Sequence, residues 1–136
     1  MILIQTEDFS VDKTVQTLRK TGAGAIVTFT GAVRETSYEG TPVISVEWDV
    51  YEPMALKVLE AIRREAIEKF ALTDAAITHR KGRQAPGENL VLIAAAAAHR
   101  RDAFRGCEYI MDEIKKRAPL WKKERLADGK ERWIEE

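Results

Sequence analysis

Apolar residues along the chain recur in two rhythms. Over residues 43–51 they alternate, with Ile44, Val46, Trp48 and Val50 on one side and Ser45, Glu47, Asp49 and Tyr51 on the other. That period predicts a strand half-buried in a sheet. Over residues 53–70 the spacing becomes helical, with Leu59, Ile62, Ala66 and Phe70 on one side. Pro53 suits the first turn, and Glu60/Arg64 and Glu65/Lys69 fall at i,i+4 on the outer face. Phe104, Cys107, Met111 and Ile114 predict the buried seam of a second long helix, and Val11, Val15 and Leu18 a short first one, capped by Ser10 and ended by Gly22.

Shorter apolar runs predict strands at 2–5, 25–33 and 75–80, and the strand at 43–51 is expected to pair with 25–33. Leu90-Val91-Leu92-Ile93 followed by five alanines is ambiguous, because alanine favours helix. Its position directly after the Pro86-Gly87 turn favours a buried strand whose narrow alanine face lies close to a helix. Residues 35–42 are polar and contain Gly40 and Pro42, so Arg34 is expected at the mouth of a mobile loop. Pro119 lacks an N–H and disfavours helical geometry at Ala118, so the helix should stop near Lys116. Lys115 then sits on its last turn and Lys122 on a separately oriented piece, which lets two ammonium groups approach one point.

A chain of 136 residues fits a single domain, 1–136, and 22 basic against 22 acidic residues argue against sequence-independent nucleic-acid binding. The charge is unevenly spread. Nine Lys/Arg face five Asp/Glu between His99 and Arg125, so the rest of the chain is net acidic. The basic segment therefore predicts a local anion site. One cysteine, Cys107, excludes an intramolecular disulfide, and as a residue of the buried seam it is expected to be inert. The N-terminal residues lack a signal-peptide pattern, and a cytoplasmic setting is expected.

His99-Arg100, after a strand and before a helix, are candidates to hold a phosphate or carboxylate, although a solvated strand end fits the same residues. Lys115 and Lys122 could stabilise an oxyanion or move a proton if they share a pocket with Arg34 and Arg100, because neighbouring cations favour neutral lysine. Alternatively, these lysines decorate a helix C-terminus and complement its dipole. Trp48, Trp121 and Trp133 are expected as core or interface anchors, and His79 as a structural histidine. Neither histidine has a partner at metal-ligand spacing, so no metal is expected.

The order of motifs is also informative: Val27-Thr28-Phe29-Thr30-Gly31-Ala32-Val33-Arg34, His79-Arg80, Pro86-Gly87-Glu88, Ala98-His99-Arg100, Ile110-Met111-Asp112, the run from Lys115 through Arg117-Ala118-Pro119 and Trp121-Lys122 to Glu124, and Arg132-Trp133. Together they resemble the catalytic large subunit of molybdopterin synthase, the MoaE family. The resemblance implies an α+β subunit with a hammerhead-type core and a mixed or antiparallel sheet. It implies a homodimer within a heterotetramer that carries a small ubiquitin-like sulfur-carrier subunit at each end. The carrier's C-terminal thiocarboxylate would donate sulfur to cyclic pyranopterin monophosphate, with no cofactor required. By position, Lys115 and Lys122 would be catalytic, and Arg34, His99 and Arg100 would hold the anionic substrate. Ala32, Val33, Lys123 and Glu124 would continue the substrate-lining segments. Family members often extend beyond the Arg-Trp motif as a basic tail, whereas Glu135 and Glu136 follow it here, so a tail contribution is expected to be absent or supplied from elsewhere.

Two other classes compete. A non-enzymatic scaffold could bind an acidic protein tail in the same basic pocket. An RNA-binding domain using Arg80, Lys81, Arg83 and the C-terminal basic segment is disfavoured by the zero net charge and by the lack of a recognisable stacking pair.

Overall fold

The computed structural model describes residues 1–20 and 22–134, which places Glu135, Glu136 and the question of a tail outside the described residues. The elements run β1 (Ile2–Gln5), α1 (Val11–Arg19), β2 (Ala25–Ala32), β3 (Val43–Val50), α2 (Glu52–Phe70), β4 (Leu72–Arg80), β5 (Gly82–Gln84), β6 (Asn89–Ala97), α3 (Arg100–Arg117), β7 (Leu120–Leu126) and β8 (Glu131–Ile134). The fold is α+β, with two four-stranded sheets. One has the order β1-β4-β6-β2 and is mixed, since β1 runs parallel to β4 and the other pairs are antiparallel. The other, β5-β3-β7-β8, is antiparallel throughout.

The alanine run is a strand, and its small side chains explain the layering. Ala95 and Ala97 join the main core with Leu59, Ile62, Ala66, Ala103, Cys107, Ile110 and Ile114 of α2 and α3. Ala94 and Ala96 face the other way, against Leu18 of α1. A strand buried on both faces reads as a continuous apolar run, and alanine lets both helix layers approach closely.

Three expectations are corrected. β2 pairs with β6, not with β3, which lies between β5 and β7 in the second sheet. The alternating β3 suits a sheet open to solvent on one side, whereas β2 joins a sheet covered by helices. Ile44 is 52% exposed and Ser45 is buried, because the ladder to β7 shifts register between Val43 and Ser45. The extra residue of that bulge turns Ile44 outward, while Val46 keeps its inward place. Phe104 is 62% exposed, and the seam of α3 is Ala103, Gly106, Cys107, Ile110 and Ile114. A Cβ on Gly106 would come within 2.8 Å of Leu72, so this seam runs through small residues that a count of large apolar side chains passes over.

Two predicted termini are in place. Ser10 caps α1 by accepting a hydrogen bond from the Lys13 N–H. Helix α3 ends at Arg117, and Ala118 is extended (φ −77°, ψ 136°) before Pro119. The chain then enters β7 at a new orientation.

Candidate active site

An open cleft of about 330 Å³ lies where the two sheets and the end of α3 meet. Its lining includes Phe29 and Ala32 of β2, Arg34 and Tyr38 of the following loop, Trp48 of β3, His79 of β4, Met111 and Lys115 of α3, and Lys122 of β7. A smaller recess behind it, about 40 Å³, shares Trp48, His79, Met111, Lys115 and Lys122. Lys115 and Lys122 thus converge from two backbones, as the break at Pro119 predicts.

Lys122 stands directly opposite Trp48 in the β3–β7 ladder, and its ammonium nitrogen lies 5.8 Å from the centre of the indole ring. Only 8% of the residue is exposed, so its stem is packed while the cation meets an aromatic face. Trp48 also packs edge-on against His79, with ring centres 4.7 Å apart. The His79 Nδ1 is 2.7 Å from the Arg80 carbonyl oxygen, which can only accept, so Nδ1 carries a proton. Among the described residues, the buried Trp48 Nε1 has no hydrogen-bond partner.

The remaining candidates divide. Ala32 and Arg34 line the cleft. Val33 is buried; its N–H donates to the Glu88 carbonyl at 2.9 Å and its carbonyl accepts from Gly87 at 3.0 Å, anchoring the backbone from which Arg34 projects. Lys123 faces away from Lys122, near Glu131 (3.6 Å) and the Trp133 ring (5.5 Å). Glu124 is buried on the same side of β7 as Lys122 and pairs across the ladder with Arg132. His99 and Arg100 are exposed at the opposite end of α3, with His99 in the N-cap position. The helical rise separates Arg100 from Lys115 by about 22 Å. One copy of the chain therefore does not bring these cations together.

Sequence reasoning missed Tyr38, Met111 and the placement of Trp48 and His79 in the cleft wall. Facing Lys122 across a ladder is a signal for Trp48, but only once β3 is assigned beside β7. Trp121 and Trp133 are exposed and lie outside the core. Among the described residues, no three His, Cys, Asp or Glu side chains gather as a metal site, and no helix is long and apolar enough to cross a membrane.

Residues 4–117 match the family model described as MoaE protein. The molybdopterin synthase catalytic subunit of Pyrococcus abyssi is 42% identical over 129 residues, 95% of this chain and 86% of the relative. That of Cereibacter sphaeroides is 42% identical over 135 residues, 98% of this chain and 90% of the relative, an alignment long enough to include β7. The crystal structure of molybdopterin synthase from Staphylococcus aureus superposes with a TM-score of 0.90 at 36% identity, covering 97% of this chain and 95% of that one. Agreement in sequence and in fold over nearly the whole length places this chain in the MoaE family.

Proposed function

We propose that the chain is the catalytic subunit of a molybdopterin synthase acting in the cytoplasm. The C-terminal thiocarboxylate of a small ubiquitin-like sulfur-carrier subunit enters the cleft. Two sulfur atoms pass in successive steps to cyclic pyranopterin monophosphate, giving the dithiolene of molybdopterin. The observation that supports this reading best is the meeting of Lys115 and Lys122 with Arg34 around one opening.

The carrier tail and the substrate are both anions, which a cationic cleft attracts and orients. Once the thiocarboxylate sulfur has bonded to the pterin side chain, water attacks the carbonyl carbon of that thioester and negative charge grows on its oxygen. Collapse then breaks the carbon–sulfur bond to leave the sulfur on the pterin and a carboxylate on the carrier. An ammonium group already fixed beside the carbonyl oxygen stabilises the charge without reorganisation. One lysine serves that oxyanion and the other exchanges protons at the pterin side chain. Arg34 holds the substrate phosphate beside Ala32, while Val33, Lys123 and Glu124 belong to the two segments that frame it.

His99 and Arg100 complete the phosphate site in this reading. Their distance from the lysines along α3 supports a site to which a second copy of the chain contributes them, the working unit being a homodimer carrying one carrier subunit at each end. A dimer with its two α3 helices antiparallel would set each N-terminus beside the other copy's lysines.

The test is reconstitution. The purified chain is mixed with thiocarboxylated carrier and cyclic pyranopterin monophosphate, and the dithiolene is sought by mass spectrometry. Product requiring both components is expected; carrier binding without product would leave a non-enzymatic tail-binding scaffold. Mixing Lys115→Ala chains with Arg100→Ala chains, each inactive alone, should restore up to roughly a quarter of wild-type turnover through hybrid dimers.

A further inference from the structure

Arg34 leaves β2 at the cleft mouth, and its guanidinium carbon lies 4.0 Å from the centre of the Tyr38 ring. Among the described residues Arg34 makes no ion pair, unlike Arg63, Arg64, Arg80, Arg83, Arg117, Arg125 and Arg132, and unlike the other unpaired arginines, Arg19, Arg100, Arg101 and Arg105, it lies over an aromatic ring. The difference matters at an anion site. A carboxylate would hold the guanidinium but neutralise it, while an aromatic face holds it and leaves its charge for a ligand.

Tyr38 is 74% exposed, so burial does not fix its ring. Its backbone is held instead. The Ser37 N–H donates to the Thr41 carbonyl at 2.8 Å, the Thr41 N–H donates to the Ser37 Oγ at 3.2 Å, and the Gly40 N–H donates to the Ser37 carbonyl at 3.0 Å. Gly40 adopts φ +84°, a left-handed conformation that a side chain would disfavour. The Val43 N–H closes the segment onto the Glu35 carbonyl at 2.8 Å. Next to Tyr38, both carboxylate oxygens of Glu39 accept from Arg132 of β8 at 2.9 Å. The segment expected to be mobile is therefore tied at its base, across its turn and to the second sheet.

We propose that Tyr38 is a positioning residue that holds the Arg34 guanidinium at the cleft mouth with its charge intact, and that the Glu39–Arg132 pair anchors the turn carrying it. This rests on the reading of Arg34 as a ligand of the substrate phosphate.

The experiment is steady-state synthesis with saturating thiocarboxylated carrier and varied cyclic pyranopterin monophosphate, for Tyr38→Ala and Tyr38→Phe in both wild-type and Arg34→Ala backgrounds. Tyr38→Ala should raise KM about three- to five-fold, the scale of an exposed cation–π contact, with kcat held within about two-fold. Tyr38→Phe keeps the ring and should restore KM to near wild type. In the Arg34→Ala background, Tyr38→Ala should add almost nothing, because the group it positions is gone. An equal rise in KM in both backgrounds, an unchanged KM for Tyr38→Ala, or damage by Tyr38→Phe equal to that by Tyr38→Ala would each overturn the proposal. Failure of the parent reading looks different: Arg34→Ala itself would leave KM unchanged, or the wild-type chain would yield no dithiolene.

Discussion

The two sheets handle their side chains in opposite ways. In the first, every residue of Ala75–Arg80 and Leu90–Ala97 is buried, with helices on both faces. In the second, β7 alternates: Lys122, Glu124 and Leu126 turn inward while Trp121 and Arg125 face solvent. A sheet enclosed on both sides selects small and apolar residues and tolerates little change. A sheet open on one side can present polar groups, and its inward face here sends Val43, Val46 and Leu126 into the main core while Trp48 and Lys122 reach the cleft. The first sheet therefore fixes positions and the second contributes a cation, and the cleft lies at their seam. His79 belongs to the first sheet and Trp48 to the second, so their edge-on contact at 4.7 Å is one place where the two are joined.

Substitutions should separate these roles, and the largest effect belongs to the lysines. Lys115→Ala, and Lys122→Met, which keeps an apolar stem against Trp48, should each lower kcat roughly 10²- to 10³-fold, the loss that follows removal of an oxyanion donor. Thermal melting should barely change. Ala95→Leu should do the reverse: with no space between β6 and the helices, overpacking should cost about 1–3 kcal/mol or more of stability, while kcat per folded molecule stays near wild type. Parallel melting and active-site-normalised turnover decide the matter. A lysine variant that unfolds while Ala95→Leu loses turnover without loss of stability would invert the division between the sheets.

Much of this division can be read from residue order, and what cannot be read has identifiable causes. The alanine strand followed from its position after a Pro-Gly turn, and the convergence of Lys115 and Lys122 followed from the restriction that Pro119 places on Ala118. Both depend on local chemistry. Partnering of β2 and β3 depends on which strands the helices cover, a tertiary property that alternation does not encode. Ile44 was misplaced because one bulge reverses the faces on its far side, and Phe104 because Ala103 and Gly106 carry the actual contact line. Tyr38 was invisible for another reason: an exposed aromatic in a polar turn has no period, and its role depends on a guanidinium four residues earlier.

A smaller effect concerns how firmly the helix layer holds the end of α3 that bears Lys115. Glu65 of α2 accepts hydrogen bonds from Arg117 at 2.6 and 2.9 Å and from the Tyr109 hydroxyl at 2.8 Å. Arg117 foremost, then Tyr109, pushes the Glu65 carboxyl down to about 2 from its ordinary 4.5. A folded-state value below the unfolded one means the contribution is complete above pH 4.5 and fades as pH falls toward 2. Because both side chains are more than a third exposed, it should stay under about 1 kcal/mol. Wild type should melt slightly above Glu65→Gln at pH 7, and the gap should narrow steadily below pH 4.5. A gap that persists unchanged at pH 2 would show that packing, not the charge, ties the two helices.

The smallest expected effect tests whether any sulfur chemistry belongs to the enclosed layer. Cys107 is the chain's only thiol, and in a protein proposed to transfer sulfur it invites a role as a covalent relay. Its surroundings argue against one. It is buried in the α3 seam, and burial pushes its thiol up to about 11, so the nucleophilic thiolate is scarce at neutral pH. It lines a neighbouring groove that shares Phe29 and Met111 with the cleft but includes neither lysine. Cys107→Ala should therefore keep turnover within about two-fold, and the folded wild type should resist iodoacetamide at pH 8. Rapid alkylation that abolishes turnover would move the sulfur chemistry from the seam between the sheets into the helix layer, and the comparison of the two sheets would have to be redrawn around α3.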